Sequence, residues 1–154
     1  MGGSLRHEIK QTKPFPSLAD EVMLNVHRTS DWLMRRFSVV LKPFGLSPTQ
    51  YNALRILRGS RPAGLTCRDV ADRMITRDPD ITRLLDRLER SGLVTRSRDP
   101  GDRRVITARV SPAGLRLLEQ LDPVVDSWAR TALAHIGRAK LRQLNSLLEE
   151  ARNG

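Results

Sequence analysis

The chain has 154 residues, enough for one domain or for one domain with an oligomerisation arm. No stretch approaches the roughly 18 apolar residues that span a bilayer, Met1-Gly2-Gly3-Ser4 lacks the apolar run of a secretory signal, and the single cysteine, Cys67, excludes an internal disulfide, which suits a reducing cytoplasm. Lysine and arginine number 27 against 17 acids, a net charge of +10, and 23 of the 27 are arginine.

Residues 1–16 read as a mobile or extended arm, because Pro14 and Pro16 discourage helix. Ser17 with Asp20 then supplies an N-cap and an acidic third position. Val22, Val26, Leu33, Phe37 and Val40 form one apolar stripe of a long helix that ends near Lys42-Pro43-Phe44-Gly45. Ser47-Pro48-Thr49-Gln50 starts the next helix with a cap, a first-turn proline and a glutamine at the third position. That helix carries Tyr51, Leu54, Ile56 and Leu57 and stops at Gly59; Arg61-Pro62-Ala63-Gly64 is a loop. Thr66 with Asp69 caps a short helix bearing Val70, Ala71 and Met74. After a turn, Asp78-Pro79 opens another helix, over 79–91, terminated by Gly92. The period then changes. Leu93–Ser97 and Arg104–Val110 are rich in Val, Ile and Thr, and Asp99-Pro100-Gly101-Asp102 between them is turn chemistry. Ser111-Pro112 caps a further long helix with Leu115, Leu118 and Leu121, which Pro123 is expected to bend or delay before Val124, Val125 and Trp128. Gly137 separates a last helix with Leu141, Leu144, Leu147 and Leu148. The fold class expected is mainly α with a small β-hairpin.

The positive charge is concentrated in the middle. Residues 51–110 hold 14 basic and 8 acidic side chains, so +6 of the +10 lies there. Arginine suits bidentate contacts with phosphate and guanine, although solubility or an acidic protein partner would give the same balance. Short helix, tight turn, helix and hairpin is the order of a winged helix-turn-helix. Ile81, Leu84, Leu85 and Leu88 share the inward face of the 79–91 helix. Pro79, Arg83, Asp86, Arg87 and Arg90 lie opposite, with Asp80 and Thr82 nearer the edges. Such a face fits a major groove roughly 12 Å wide; alternatively it is a solvated surface with Asp86–Arg90 and Arg83–Arg87 pairs. Thr76 and Arg77 precede the helix where base edges are met, and Arg68 opens the helix before it. Arg96, Arg98, Arg103 and Arg104 cluster on the hairpin. Arginine on a thin hairpin can reach a narrow minor groove, and Asp99 or Asp102 can pair with Arg104 across the turn. The two roles are compatible, since an aspartate can hold an arginine in its insertion pose.

From Leu46 to Gly114 the sequence resembles the MarR family of regulators (multiple antibiotic resistance type). The resemblance is carried by Leu46-Ser47-Pro48-Thr49-Gln50-Tyr51, Leu65-Thr66, Asp69-Val70-Ala71 and Ile81-Thr82-Arg83-Leu84-Leu85-Asp86-Arg87-Leu88-Glu89. It continues through Ser91-Gly92-Leu93-Val94 and Asp102-Arg103-Arg104-Val105 to Ser111-Pro112-Ala113-Gly114. The resemblance implies an obligate homodimer with interleaved N- and C-terminal helices. It implies that Arg104 enters the minor groove, that Asp102 sets the wing, and that two recognition helices meet major grooves about 34–36 Å apart on a pseudo-palindrome. Arg96, Arg98 and Arg103 are then expected to contact phosphate. Residues 1–45 become an arm and dimerisation helix, 46–111 a DNA-binding lobe, and 112–154 C-terminal dimerisation helices. The apolar stripes at both chain ends support a dimer independently, unless Leu141, Leu144 and Leu148 pack within the chain.

Family members often answer small anionic aromatics or thiol oxidation. Trp32, Arg35, Arg36 and His27 on the first long helix are candidates to line a pocket for a carboxylate or phenolate; the bland alternative is packing for Trp32 and solvation for the arginines. Cys67 lies at a helix start, where the macrodipole lowers a thiol pKa, yet with no second cysteine it reads as packing. His7, His27 and His135 lack ligand spacing, so neither a metal nor a cofactor is expected. No nucleophile elbow, P-loop, dinucleotide fingerprint or zinc motif is present, so an enzyme is not expected. The expected function is a cytoplasmic, nucleoid-associated transcription regulator, a repressor, binding double-stranded DNA as a homodimer. The rival is a winged-helix module that coats DNA without sequence preference or mediates protein contacts.

Overall fold

A computed structural model of the protein describes residues 4–77 and 80–154. Asp78 and Pro79, the expected opening of the second short helix, lie outside the described residues. The chain divides into two compact units, residues 1–39 and 40–154.

The first unit holds a one-turn helix, α1 (Leu5–Glu8), and most of a 24-residue helix, α2 (Leu18–Leu41). The arm expected to be mobile or extended therefore contains a helical turn. The His7 and Glu8 amides bond the Ser4 carbonyl at 2.9 and 3.1 Å, and Leu5 is buried. The Arg6 guanidinium then ties the chain by donating to the Gln11 and Thr12 carbonyls at 3.2 and 2.6 Å. Pro14 and Pro16 act only downstream of this turn, where no helix forms. Helix α2 starts where its cap pair places it. The Ser17 hydroxyl accepts the Asp20 amide at 3.1 Å and donates to the Asp20 carboxylate at 2.6 Å.

The second unit opens on a 3-10 turn, Lys42–Phe44, stopped by Gly45 at φ +71°. Helix α3 (Pro48–Gly59) has both halves of its capping box: Ser47 accepts the Gln50 amide and Gln50 accepts the Ser47 amide, at 3.2 and 3.0 Å. A two-residue strand, β1 (Leu65–Thr66), leads into α4 (Cys67–Arg73), capped by Thr66 on the Asp69 amide. Helix α5 (Ile81–Arg90) follows, then strands β2 (Val94–Arg98) and β3 (Ile106–Val110). The sheet order is β1-β3-β2, antiparallel throughout. Strand β1 has no counterpart in the sequence-based expectation, because two residues carry no period. It exists through pairing of Leu65 with Ala108 and Thr66 with Thr107. Gly64 allows that pairing: its φ is +78°, and a β-carbon there would stand 2.5 Å from the Ala108 carbonyl oxygen.

Strand β2 has the expected five residues but is shifted by one toward the tip, and β3 starts two residues later than expected, at Ile106. Leu93 is spent on the junction, its amide bonding the Leu88 carbonyl and its carbonyl accepting the Ser111 amide. Arg104 and Val105 are held in the turn by Asp102. Helix α6 (Pro112–Ala132) is capped by Ser111 and runs through Pro123 without a break, so its second half is not delayed. A 3-10 turn, Ala134–Ile136, and Gly137 at φ +82° separate it from α7 (Arg138–Arg152). The core of this unit joins Leu54 and Leu57 of α3, Val70 of α4, Leu85 and Leu88 of α5, Val94 of β2, and Leu118 and Leu121 of α6, all fully buried. Each such side chain contributes about 1.5–3 kcal/mol of transfer free energy. A bidentate ion pair, Arg58 to Asp122 at 2.8 and 3.0 Å, adds a second tie between α3 and α6. Helix α7 differs: Leu144, Leu147 and Leu148 are exposed.

Candidate nucleic-acid interface

Helices α4 and α5 make the helix-turn-helix. The turn between them is fixed from below by Asn52 of α3, whose carbonyl oxygen accepts the Ile75 amide at 2.9 Å. Asn52 carries no sequence signal for this role, since its partner is 23 residues away. Asp80 caps α5, accepting the Arg83 amide at 3.0 Å, and its carboxylate lies 3.4 Å from Arg83 Nε. Because Asp80 takes the cap, the described helix has 10 residues rather than the 79–91 span expected. Ile81, Leu84, Leu85 and Leu88 are buried, as their spacing requires. Thr82, Arg83, Arg87 and Arg90 are exposed. Arg68, Thr76 and Arg77 are exposed as well, on α4 and in the turn. Thr82 Oγ1 lies 3.9 Å from Cys67 Sγ, and Pro79 is outside the described residues.

The hairpin tip is organised by two aspartates with separate tasks. Asp99 accepts the Gly101 and Asp102 amides at 2.7 and 3.1 Å and so builds the turn. Asp102, not Asp99, holds Arg104: it accepts the Arg104 amide at 3.0 Å, Nε at 3.1 Å and Nη2 at 3.3 Å. These bonds, the side-chain one foremost and the backbone one after it, hold the Asp102 carboxyl below its usual range. The Arg104 side chain is nevertheless 92% exposed, so it is oriented without being covered. Arg98 braces the same turn by donating to the Arg103 carbonyl at 3.1 Å.

Arg96 departs from the expectation that it contacts phosphate. Its side chain is only 20% exposed and lies against α5. Nε and Nη2 donate to Glu89 at 3.3 and 3.2 Å, and Nη2 also bonds Asp86. The bond to Glu89, opposed by burial and aided by Asp86, pushes the guanidinium pKa up. Asp86 is thus paired with the hairpin rather than with Arg90. Of the three hairpin arginines expected at phosphate, Arg96 is the one bonded to two carboxylates.

A cavity of about 430 Å³ in the first unit is lined by Glu8, Arg28, Thr29, Asp31, Trp32 and Arg35. It takes Trp32 and Arg35 from the residues expected around an effector and leaves His27 and Arg36 outside its lining. Arg36 stacks over the Trp32 ring at 4.9 Å instead. Arg28 and Arg35 are countered by Glu8 and Asp31, at 3.7 and 2.9 Å. Among the described residues no group of three or more His, Cys, Asp or Glu could hold a metal ion, and no helix is long and apolar enough to cross a membrane.

A helix-turn-helix followed directly by an arginine-tipped hairpin, in the most basic stretch of the chain, defines the winged helix-turn-helix class of DNA-binding proteins. The MarR family model matches residues 46–106. A solved MarR transcription factor from Planctomyces limnophilus is 40% identical, with a TM-score of 0.68 over 88% of this chain and 98% of that one. The homoprotocatechuate degradative operon repressor of Escherichia coli is 28% identical over 131 residues, 85% of this chain and 87% of that protein. CouR from Rhodococcus jostii RHA1, solved bound to p-coumaroyl-CoA, is 27% identical, with a TM-score of 0.72 over 89% of this chain and 95% of that one. The chain belongs to the MarR family of transcription regulators.

Proposed function

We propose that the protein is a sequence-specific repressor that binds a pseudo-palindromic operator as a homodimer. The observation that carries this reading is Arg104, held at the hairpin tip by Asp102 while its side chain stays 92% exposed. An arginine fixed in direction but open to solvent is prepared to enter a groove at little further entropic cost. Beside it, α5 offers Arg83, Arg87 and Arg90 on a helix of a size that enters the major groove. Arg68, Thr76, Arg77, Asp80, Thr82, Arg98 and Arg103 surround these as backbone-positioning or base contacts, and Pro79, outside the described residues, is proposed as a further contact from its sequence position alone. The dimer is supported by apolar faces left open in a single chain: Leu18, Val22 and Val26 on α2, and Leu144, Leu147 and Leu148 on α7.

Release by a small anionic aromatic is the second part of the proposal. Trp32 offers a stacking face and Arg35 a cation in one cavity, with Arg36 supporting the indole. The repressor of an aromatic degradation operon and the coumaroyl-CoA complex among the relatives favour this class of effector.

Sequencing the genomic fragments that the protein retains tests the first part. The expected result is one enriched motif with two half-sites whose centres are about 10 base pairs, or a multiple of a turn, apart. Retention of all fragments alike, or of none, replaces the regulator by a non-specific DNA coat or a protein-contact module. A thermal-shift screen with aromatic acids, repeated on Trp32→Ala, tests the second.

A further inference from the structure

We propose that Arg96 is a positioning residue that joins the recognition helix and the wing into one reading head, without itself touching DNA. The proposal rests on α5 and the wing being the DNA-reading elements. Apart from Arg96, the bonds described from this strand to α5 lie at its root, where the Leu93 amide meets the Leu88 carbonyl at 3.0 Å. The hairpin's other edge is held where β3 pairs with β1 at Thr107 and Ala108, which leaves the α5 side of the hairpin free to rock about that edge. A five-residue strand is about 16 Å long, so a rocking of about 10° displaces its far end by about 3 Å, a full hydrogen-bond length. Such slack would undo the aim that Asp102 gives Arg104.

Arg96 removes the slack. It sits in mid-strand, paired with the buried Ala108 across the sheet, and its guanidinium fork bridges Asp86 and Glu89 on one edge of α5. Two residues further on, Arg98 holds the Arg103 carbonyl, and Arg103 adjoins Arg104. Helix edge, strand and tip are therefore linked through two successive polar contacts, those of Arg96 and of Arg98. The charge balance opposes a phosphate role. Arg96, Asp86 and Glu89 together carry a net single negative charge. Moving the guanidinium to a phosphate would leave two bare carboxylates on the helix that faces DNA.

The test uses the double variant Asp86→Asn/Glu89→Gln, which removes both ion pairs of Arg96 and, by deleting two negative charges, raises the net charge by two. Both carboxylates are part exposed, so amides of the same shape leave the core untouched. Binding to unrelated duplex should tighten, while preference for the operator should fall at least tenfold. Arg96→Lys keeps the charge but not the fork, and should lose preference in the same sense. Operator and unrelated duplex tightening together in the double variant, with preference intact in Arg96→Lys, would overturn the proposal. A DNA-free readout separates this from the functional reading. Residual dipolar couplings of α5 and the two wing strands should fit one alignment in the wild type and two in the double variant. One common alignment in both proteins rejects the positioning role, even if the wild type prefers no duplex at all.

Discussion

Gly114→Ala tests how closely α6 is pressed on the root of the wing. A β-carbon at this position would overlap the Leu93 carbonyl oxygen and stand 2.8 Å from Val110 Cγ2. That oxygen cannot step aside cheaply, because it accepts the Ser111 amide at 2.9 Å and Ser111 in turn bonds the Gly92 carbonyl and caps α6. Alanine gains up to about 1 kcal/mol over glycine inside a helix. Against this, forced repacking costs about 1–3 kcal/mol, and loss of the Leu93–Ser111 bond about 1 kcal/mol more. The net expectation is a loss of about 1–3 kcal/mol. At about 2–4 °C per kcal/mol for a chain of this size, the melting temperature should fall by about 2–12 °C. Calorimetry at fixed protein concentration reads this directly. Gly59→Ala is the control: nothing lies within 4 Å of its β-carbon, and its melting temperature should hold or rise. Gly114→Ala melting at or above the wild type would refute the packing argument, and with it the reason for glycine in Ser111-Pro112-Ala113-Gly114.

Asp102 gives a pH signature. Its folded-state pKa lies below the ordinary carboxylate value, so its hold on Arg104 is complete above about pH 4 and is lost only as pH falls through the lowered value. Operator affinity should therefore show no Asp102-dependent change between pH 5 and 8, and a step in that range absent from Asp102→Asn would contradict the assignment. Leu147→Asp places a charge in the open face of α7 and should weaken the dimer by at least about 2 kcal/mol, roughly thirtyfold, in sedimentation equilibrium. A dimer of unchanged strength would remove α7 from the interface. Asn52→Ala deprives the Ile75 amide of its acceptor and should lower operator affinity several-fold with little change in dimerisation; equal affinity would show that the turn holds its shape without it.

What could be read from the sequence was what depends on near neighbours. Ser17 with Asp20, Ser47 with Gln50, Thr66 with Asp69 and Ser111 with Gly114 each bond three residues along, so the cap spacing alone places the helix starts. Asp102 and Arg104 are two apart, and their pairing is equally local. Features made by distant partners escaped. Strand β1 exists only because Ala108 and Thr107 return to it, and Asn52 meets the turn through the fold of three helices. Arg96 looked like its arginine neighbours on the hairpin, and only the approach of Asp86 and Glu89 from α5 distinguishes it. Pro123 does not delay the second half of α6 for a different reason: one missing amide costs a helix about 3 kcal/mol, less than the packing that Leu118 and Leu121 supply on the same helix.

The central claim is that α5 and the wing read sequence together, with Arg104 as the minor-groove probe. Its most direct test is a titration of wild type and Arg104→Ala with the enriched operator and with unrelated duplex, across a range of salt. The wild type should prefer the operator by about 10³-fold or more. Arg104→Ala should bind the operator about 5- to 150-fold more weakly, from a loss of about 1–3 kcal/mol, with the dimer intact. Equal operator affinity in the two proteins, or no operator preference in the wild type, would contradict it.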